Sequence, residues 1–375
     1  MTLVQSVPGG AWQAVLLLVV AGCAAEPKEG DFAVSEDGGA EVPEDHSALG
    51  PYGVRHELIT VAVGDRSLPT SLWLPAQGSA ETADIVTLLG GDHAESWREL
   101  LAAAPEGCPS TTVPGSGTAA EAEGGPWPLV VVSHCHECTR ASKARISAHL
   151  ASHGIASIAP DHVGNTLWDM DTDDALPLDT STLAVREADL IGVLDAALAG
   201  ELGADFDPEA VGVMGHSFGS VTAGRLAQDD PRVRAAVGLA APMENPLLAG
   251  VDMEAVEVPV LLLEAEEDNS ITELGNELIL ANADEAAGGA VLAQVADAGH
   301  WSLSDLCGLV DAFSAGCGSA PRQTDPSETV DYPDPSEVRA GTAALVTAFF
   351  AAELQGDDGA VARVVLPAGF SVQRR

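Results

Sequence analysis

The chain has 375 residues, 57 acidic against 16 basic side chains, a formal net charge of −41 and an apolar fraction of 46%. That balance excludes a nucleic-acid partner, which needs a basic footprint, and adsorption of the protein's own surface to anionic lipid. The length accommodates one large core or two modest ones.

Residues 14–21 form an apolar run too short to cross a bilayer, which takes about 20 residues, but suited to the core of an export signal. The run ends in Val20-Ala21-Gly22-Cys23, which resembles a bacterial lipobox. The resemblance implies a signal peptide over 1–22, lipidation at Cys23 and a place in the bacterial cell envelope. Residues 1–13 depart from that pattern in lacking Lys and Arg. Over 23–51, carboxylates from Glu26 to Asp45 face one lysine, Lys28, and such a segment reads as a disordered, self-repelling tether.

A layered domain is expected over 52–355. Two strands come first, over 56–63 and 68–74, around the turn Gly64-Asp65-Arg66. An insertion at about 76–128, rich in Gly, Pro and Ser, holds one short helix near 94–104. The run 129–133 is continuously apolar and β-branched, as in a strand covered on both faces. Strands over 155–159, 211–214, 235–239, 260–263 and 291–295 then alternate with helical patterns over 141–153, 183–199, 221–227 and 273–287. Further helices are expected over 303–313 and 337–354, and 356–375 reads as a tail. The fold class is α/β, a mostly parallel sheet of about eight strands with helices on both faces.

Val211-Gly212-Val213-Met214-Gly215-His216-Ser217-Phe218-Gly219 contains G-x-S-x-G between a strand and a helix. That is the context of a nucleophile elbow, where the turn lifts the serine above the sheet edge and the helix N-terminus faces a developing oxyanion. A serine needs a histidine base. His300 follows the last strand on a glycine-led loop, and the acid follows the strand 260–263. Asp268 is the choice by register, with Glu264, Glu266 and Glu267 as alternatives.

These pieces resemble the α/β-hydrolase superfamily, in the branch of dienelactone hydrolases, platelet-activating-factor acetylhydrolases and bacterial polyester hydrolases. The matching stretches are PLVVVSH, HLASHGIASIAPDHVGNT, GVMGHSFGS and AGHWSLSDLC. The resemblance implies a serine hydrolase of carboxylic esters, without cofactor, acting on a small-molecule or lipid ester. It places the oxyanion-hole amides at His136 and Phe218. Cys135 stands where the family has glycine, and a Cβ there restricts φ.

The stretch Ser133-His134-Cys135-His136-Glu137-Cys138 also invites a zinc reading, with Asp161-His162 as a second contributor, or a redox C-x-x-C. A metal-dependent hydrolase and a non-catalytic binding lipoprotein are therefore the rival functions. In an exported chain the thiols favour disulfides: Cys135–Cys138 and Cys307–Cys317, with Cys108 free, or else Cys138–Cys307. Trp301, Trp168 and Phe218 are candidate pocket walls, and 76–128 and 303–317 are candidate covers.

Overall fold

The computed structural model describes residues 45–170 and 172–375. The expected export signal, Cys23 and the tether to residue 44 lie outside the described residues. The tether's last residues belong to the folded domain. His46 is buried and stacks on His153, and the Gly50 and Tyr52 amides donate to Ser152.

The chain opens with the antiparallel pair β1 (Gly53–Val63) and β2 (Arg66–Ala76). The insertion that follows has its own structure. A short pair, β3 (Thr82–Asp84) and β4 (Thr112–Pro114), encloses α1 (Ile85–Leu89) and α2 (Ala94–Ala103). The Asp84 carboxylate caps α1 by accepting the Thr87 amide, a standard remedy for the unpaired first turn.

Strands and helices then alternate: β5 (Trp127–Ser133), α3 (Ala144–Ser152), β6 (Ala156–Pro160), α4 (Thr180–Leu198), β7 (Phe206–His216) and α5 (Phe218–Asp229). Next come β8 (Val233–Leu239), β9 (Val260–Ala265), α6 (Thr272–Glu285) and β10 (Ala290–Val295). A small hairpin, β11 (Ser319–Pro321) with β12 (Thr329–Asp331), precedes α7 (Pro335–Gln355). The expected tail instead contains α8 (Ala360–Arg363) and β13 (Phe370–Arg374), which pairs antiparallel with β10.

Among the described residues the main sheet therefore has nine strands, in the order β1-β2-β6-β5-β7-β8-β9-β10-β13. Neighbours from β6 to β10 are parallel. Alternation along β5 explains the two layers. Leu129 and Val131 join α4, α5 and α6 in one core, while Val130 and Val132 join α3 and α7 in the other. This is the α/β-hydrolase fold.

Two expectations need correction. Residues 303–313 do not form a helix; they are turns ending in a 3-10 segment at Asp311–Phe313. Gly308 is left-handed there, and side chains take the carbonyls a helix would use. Lys143 Nζ donates to Leu303 O, and Arg339 Nη1 to Ser304 O. The second disulfide is Cys108–Cys317, with Cα atoms 5.7 Å apart, and among the described residues Cys307 is the free, buried thiol. Folding of 301–317 against the insertion, whose Trp97 and Val113 share one core with Trp301 and Phe313, brings those two cysteines together.

Candidate active site

Ser217 sits between β7 and α5 with φ 57° and ψ −123°, a strained conformation for a residue with a side chain. The glycines of G-x-S-x-G are there for space. A Cβ at Gly215 would fall on the Gly219 carbonyl, and one at Gly219 on the Ser133 carbonyl. Such close approach is what lets the elbow press against the end of β5. Ser217 is half-buried, whereas its neighbours from Val211 to Gly224 are all buried, so the turn delivers the hydroxyl toward solvent.

His300 lies in the loop after β10, and its Nδ1–H donates to Asp268 Oδ2 at 2.7 Å. Asp268 Oδ1 accepts the amides of Ser270 and Ile271, which fixes the carboxylate. The rival acids are engaged elsewhere. Glu264 accepts from Gln294, burial raising its pKa; Glu266 accepts the Asp297 amide; and Glu267 pairs with Arg322. His300 Nε2 has no hydrogen-bond partner among the described residues and stands open for proton transfer.

Behind the pair, His216 is fully buried and donates Nε2–H to the His300 carbonyl at 3.0 Å. Burial first, then the Lys143 charge, holds its pKa well below the usual range, so the ring is neutral. Trp301 packs edge-on against His300, with centroids 5.2 Å apart, and stacks on Phe313. Trp168 is half-buried and stacks on His93, with centroids 4.4 Å apart. Trp301 is thus a buttress for the His300 loop, and Trp168 belongs to a separate aromatic pair. An open cavity of about 800 Å³, lined by Asn269, Glu273, Arg322 and Tyr332 among others, adjoins the Asp268 loop without including Ser217.

The loop after β5 is closed by the Cys135–Cys138 disulfide. Cys135 avoids the left-handed region, and Glu137 takes it instead at φ 55°. The glycine replacement therefore costs no backbone strain at position 135. Neither the His136 nor the Phe218 amide donates to an acceptor among the described residues, and Phe218 opens α5. The His136 ring sits edge-on to Phe218, with centroids 6.1 Å apart.

The zinc reading loses its donors to other bonds. Cys135 and Cys138 are oxidised to a disulfide, and Asp161 pairs with Arg140. His134 donates Nδ1–H to Cys135 O and accepts the His162 amide at Nε2. A second Ser–His–Asp series runs beneath: Ser133 Oγ–H donates to His162 Nε2 at 3.0 Å, and His162 Nδ1–H to Asp189 Oδ2 at 3.0 Å. All three of its members are at 0% exposure. Burial keeps both His134 and His162 neutral. Sequence reasoning missed this series, together with Arg186, Asn165 and His216; of these, His216 alone carried a signal, its position in GHSFG.

The dienelactone hydrolase family model matches residues 116–301, a span that runs from just before β5 to just past His300. The chain is an α/β hydrolase of the dienelactone-hydrolase-like branch. Its fold is similar to that of a solved ferulic acid esterase from Streptomyces cinnamoneus, with 25% identity and a TM-score of 0.59. The match covers 84% of this chain and 93% of that one. No curated protein sequence matches this hydrolase. Family and neighbour together make the chain a serine-type carboxylic ester hydrolase.

Proposed function

We propose that this hydrolase cleaves carboxylic esters through Ser217, His300 and Asp268. The observation that carries the reading is the 2.7 Å hydrogen bond from His300 to Asp268, in a loop tied to the strained Ser217 elbow by the bond from His216 to the His300 carbonyl. Ser217 Oγ attacks the ester carbonyl while His300 Nε2 accepts its proton. Asp268 holds the imidazole in the tautomer with Nδ1 protonated. The amides of His136 and Phe218 receive the developing oxyanion. His300 then protonates the departing alcohol, and a water deprotonated by His300 releases the acid and regenerates Ser217.

The substrate is a small-molecule or lipid ester. The solved neighbour's name adds aromatic-acid esters to the classes worth testing. The lipobox-like Val20-Ala21-Gly22-Cys23 supports export and anchoring at Cys23, with the tether holding the enzyme off the membrane. Labelling by a radioactive fatty acid, lost in Cys23→Ala, tests that part.

A fluorophosphonate probe tests the chemistry. Stoichiometric labelling at Ser217, abolished in Ser217→Ala together with hydrolysis of acetyl, octanoyl and feruloyl esters, is the expected result. A folded, hydrolytically active protein that resists the probe overturns it.

A further inference from the structure

Arg186 lies on α4 at 0% exposure, deep beneath the loop that follows β5. Its five N–H groups are all used. Nε donates to Thr222 Oγ1 on α5 at 3.2 Å. One terminal nitrogen, Nη2, donates to Ser133 Oγ at 2.9 Å and to the His134 carbonyl. The other, Nη1, donates to Asn165 Oδ1 at 2.5 Å and to the Cys135 carbonyl at 3.5 Å. Asn165 in turn donates Nδ2–H to His136 Nδ1 at 2.7 Å. A single guanidinium thus reaches residues 133, 134 and 135 directly and residue 136 through one amide.

The same group also touches the other side of the hole. Its carbon lies 4.6 Å from the centroid of the Phe218 ring. The two residues whose amides face the oxyanion are therefore tied to one planar cation. Such a cation is costly to bury unless every donor is satisfied. A planar fork with five donors matches this set of acceptors, and a lysine with three does not. Asp189, one turn further along α4, accepts from Arg66 on one side and His162 on the other. Through His162 it also fixes the Ser133 hydroxyl that Arg186 binds.

We propose that Arg186, with Asn165 as its extension, is a positioning residue for the oxyanion hole. It clamps residues 133–136 so that the His136 amide stays aligned with that of Phe218. This rests on the reading that those two amides receive the substrate oxygen. A packing role alone would affect how much protein folds. A positioning role affects how well the folded protein stabilises the tetrahedral oxyanion.

The test uses Arg186→Lys, which keeps the charge and loses the fork, and Asn165→Ala, which keeps Arg186 and cuts its link to His136. Active sites are counted by fluorophosphonate titration, so that misfolded molecules drop out. Binding of an aryl trifluoromethyl ketone, which adds to Ser217 as an oxyanion, is measured beside kcat and KM. Loss of alignment of about 1 Å is expected to lower kcat per titrated site by about 10–100-fold. Ketone affinity should fall in parallel and KM should stay near the parent value, with Asn165→Ala the milder case. Unchanged kcat per site and ketone affinity in the titratable variants, with only Tm reduced, overturns the proposal. A parent that hydrolyses esters but is not labelled at Ser217 removes the triad reading itself, and this inference with it.

Discussion

His216 Nε2 lies 3.0 Å from the carbonyl oxygen of His300 and donates to it, joining the residue before the proposed nucleophile to the backbone of the proposed base. The two imidazoles also face each other, with centroids 4.8 Å apart. The Ser217 turn and the His300 loop, after β7 and β10, are separated in the sheet by β8 and β9, so this bond sets their spacing directly. Replacing His216 by Phe keeps the ring and removes the bond. Loss of roughly 1 kcal/mol should lower kcat about fivefold with KM little changed, by steady-state kinetics.

Asp268 is distinguished from its acidic neighbours by its bond to His300. Asp268→Asn should reduce kcat about 10⁴-fold, because an amide favours the wrong imidazole tautomer. Glu264→Gln should leave kcat close to that of the parent, since Glu264 bonds Gln294 and not the base. Kinetics on the two variants, each titrated for active sites, checks the assignment.

The Cys108–Cys317 bond closes a 209-residue separation and fastens the insertion to the segment that follows His300. Mass spectrometry of non-reduced peptides should join these two cysteines and leave Cys307 as a thiol that alkylates only after unfolding. The Cys108→Ser/Cys317→Ser double variant should lose about 2–5 kcal/mol in denaturant titration.

Lys143 is fully buried, and burial pulls its pKa down from the ordinary lysine value to about 7, opposed by Asp305. Its ammonium donates to Leu303 O. In the unfolded chain the amine holds its proton up to about pH 10. Between pH 7 and 10 the unfolded state therefore binds more protons, and stability should rise with pH by up to about 1.4 kcal/mol per unit from this group. Lys143→Met should remove that rise. Unfolding free energies for both proteins across this window give the comparison.

The alternation of strands and helices was legible because it depends on short-range signals. Runs such as 129–133 and 260–263 are apolar on both faces, and GHSFG, Asp268 and His300 fall where strands end. Arg186 was not legible, because its meaning comes from acceptors 21 to 53 residues away that only the fold assembles. The second disulfide was hidden for a similar reason: pairing Cys108 with Cys317 requires the insertion to pack under the His300 loop. Residues 303–313 carried a helical pattern, but Lys143 and Arg339 claim carbonyls there, and Gly308 turns the chain.

Among the described residues a hydrogen-bonded Ser–His–Asp series is complete in Ser133–His162–Asp189, whereas in the proposed set of Ser217, His300 and Asp268 only His300 and Asp268 are bonded. The completed chain of hydrogen bonds therefore belongs to a buried strut and not to the proposed nucleophile. At Ser133 the oxygen already accepts from Arg186 and its hydrogen is spent on His162, with no route to water. At Ser217 a strained turn holds the hydroxyl out of such commitments. Reactivity here is a matter of which serine the fold has left unfinished.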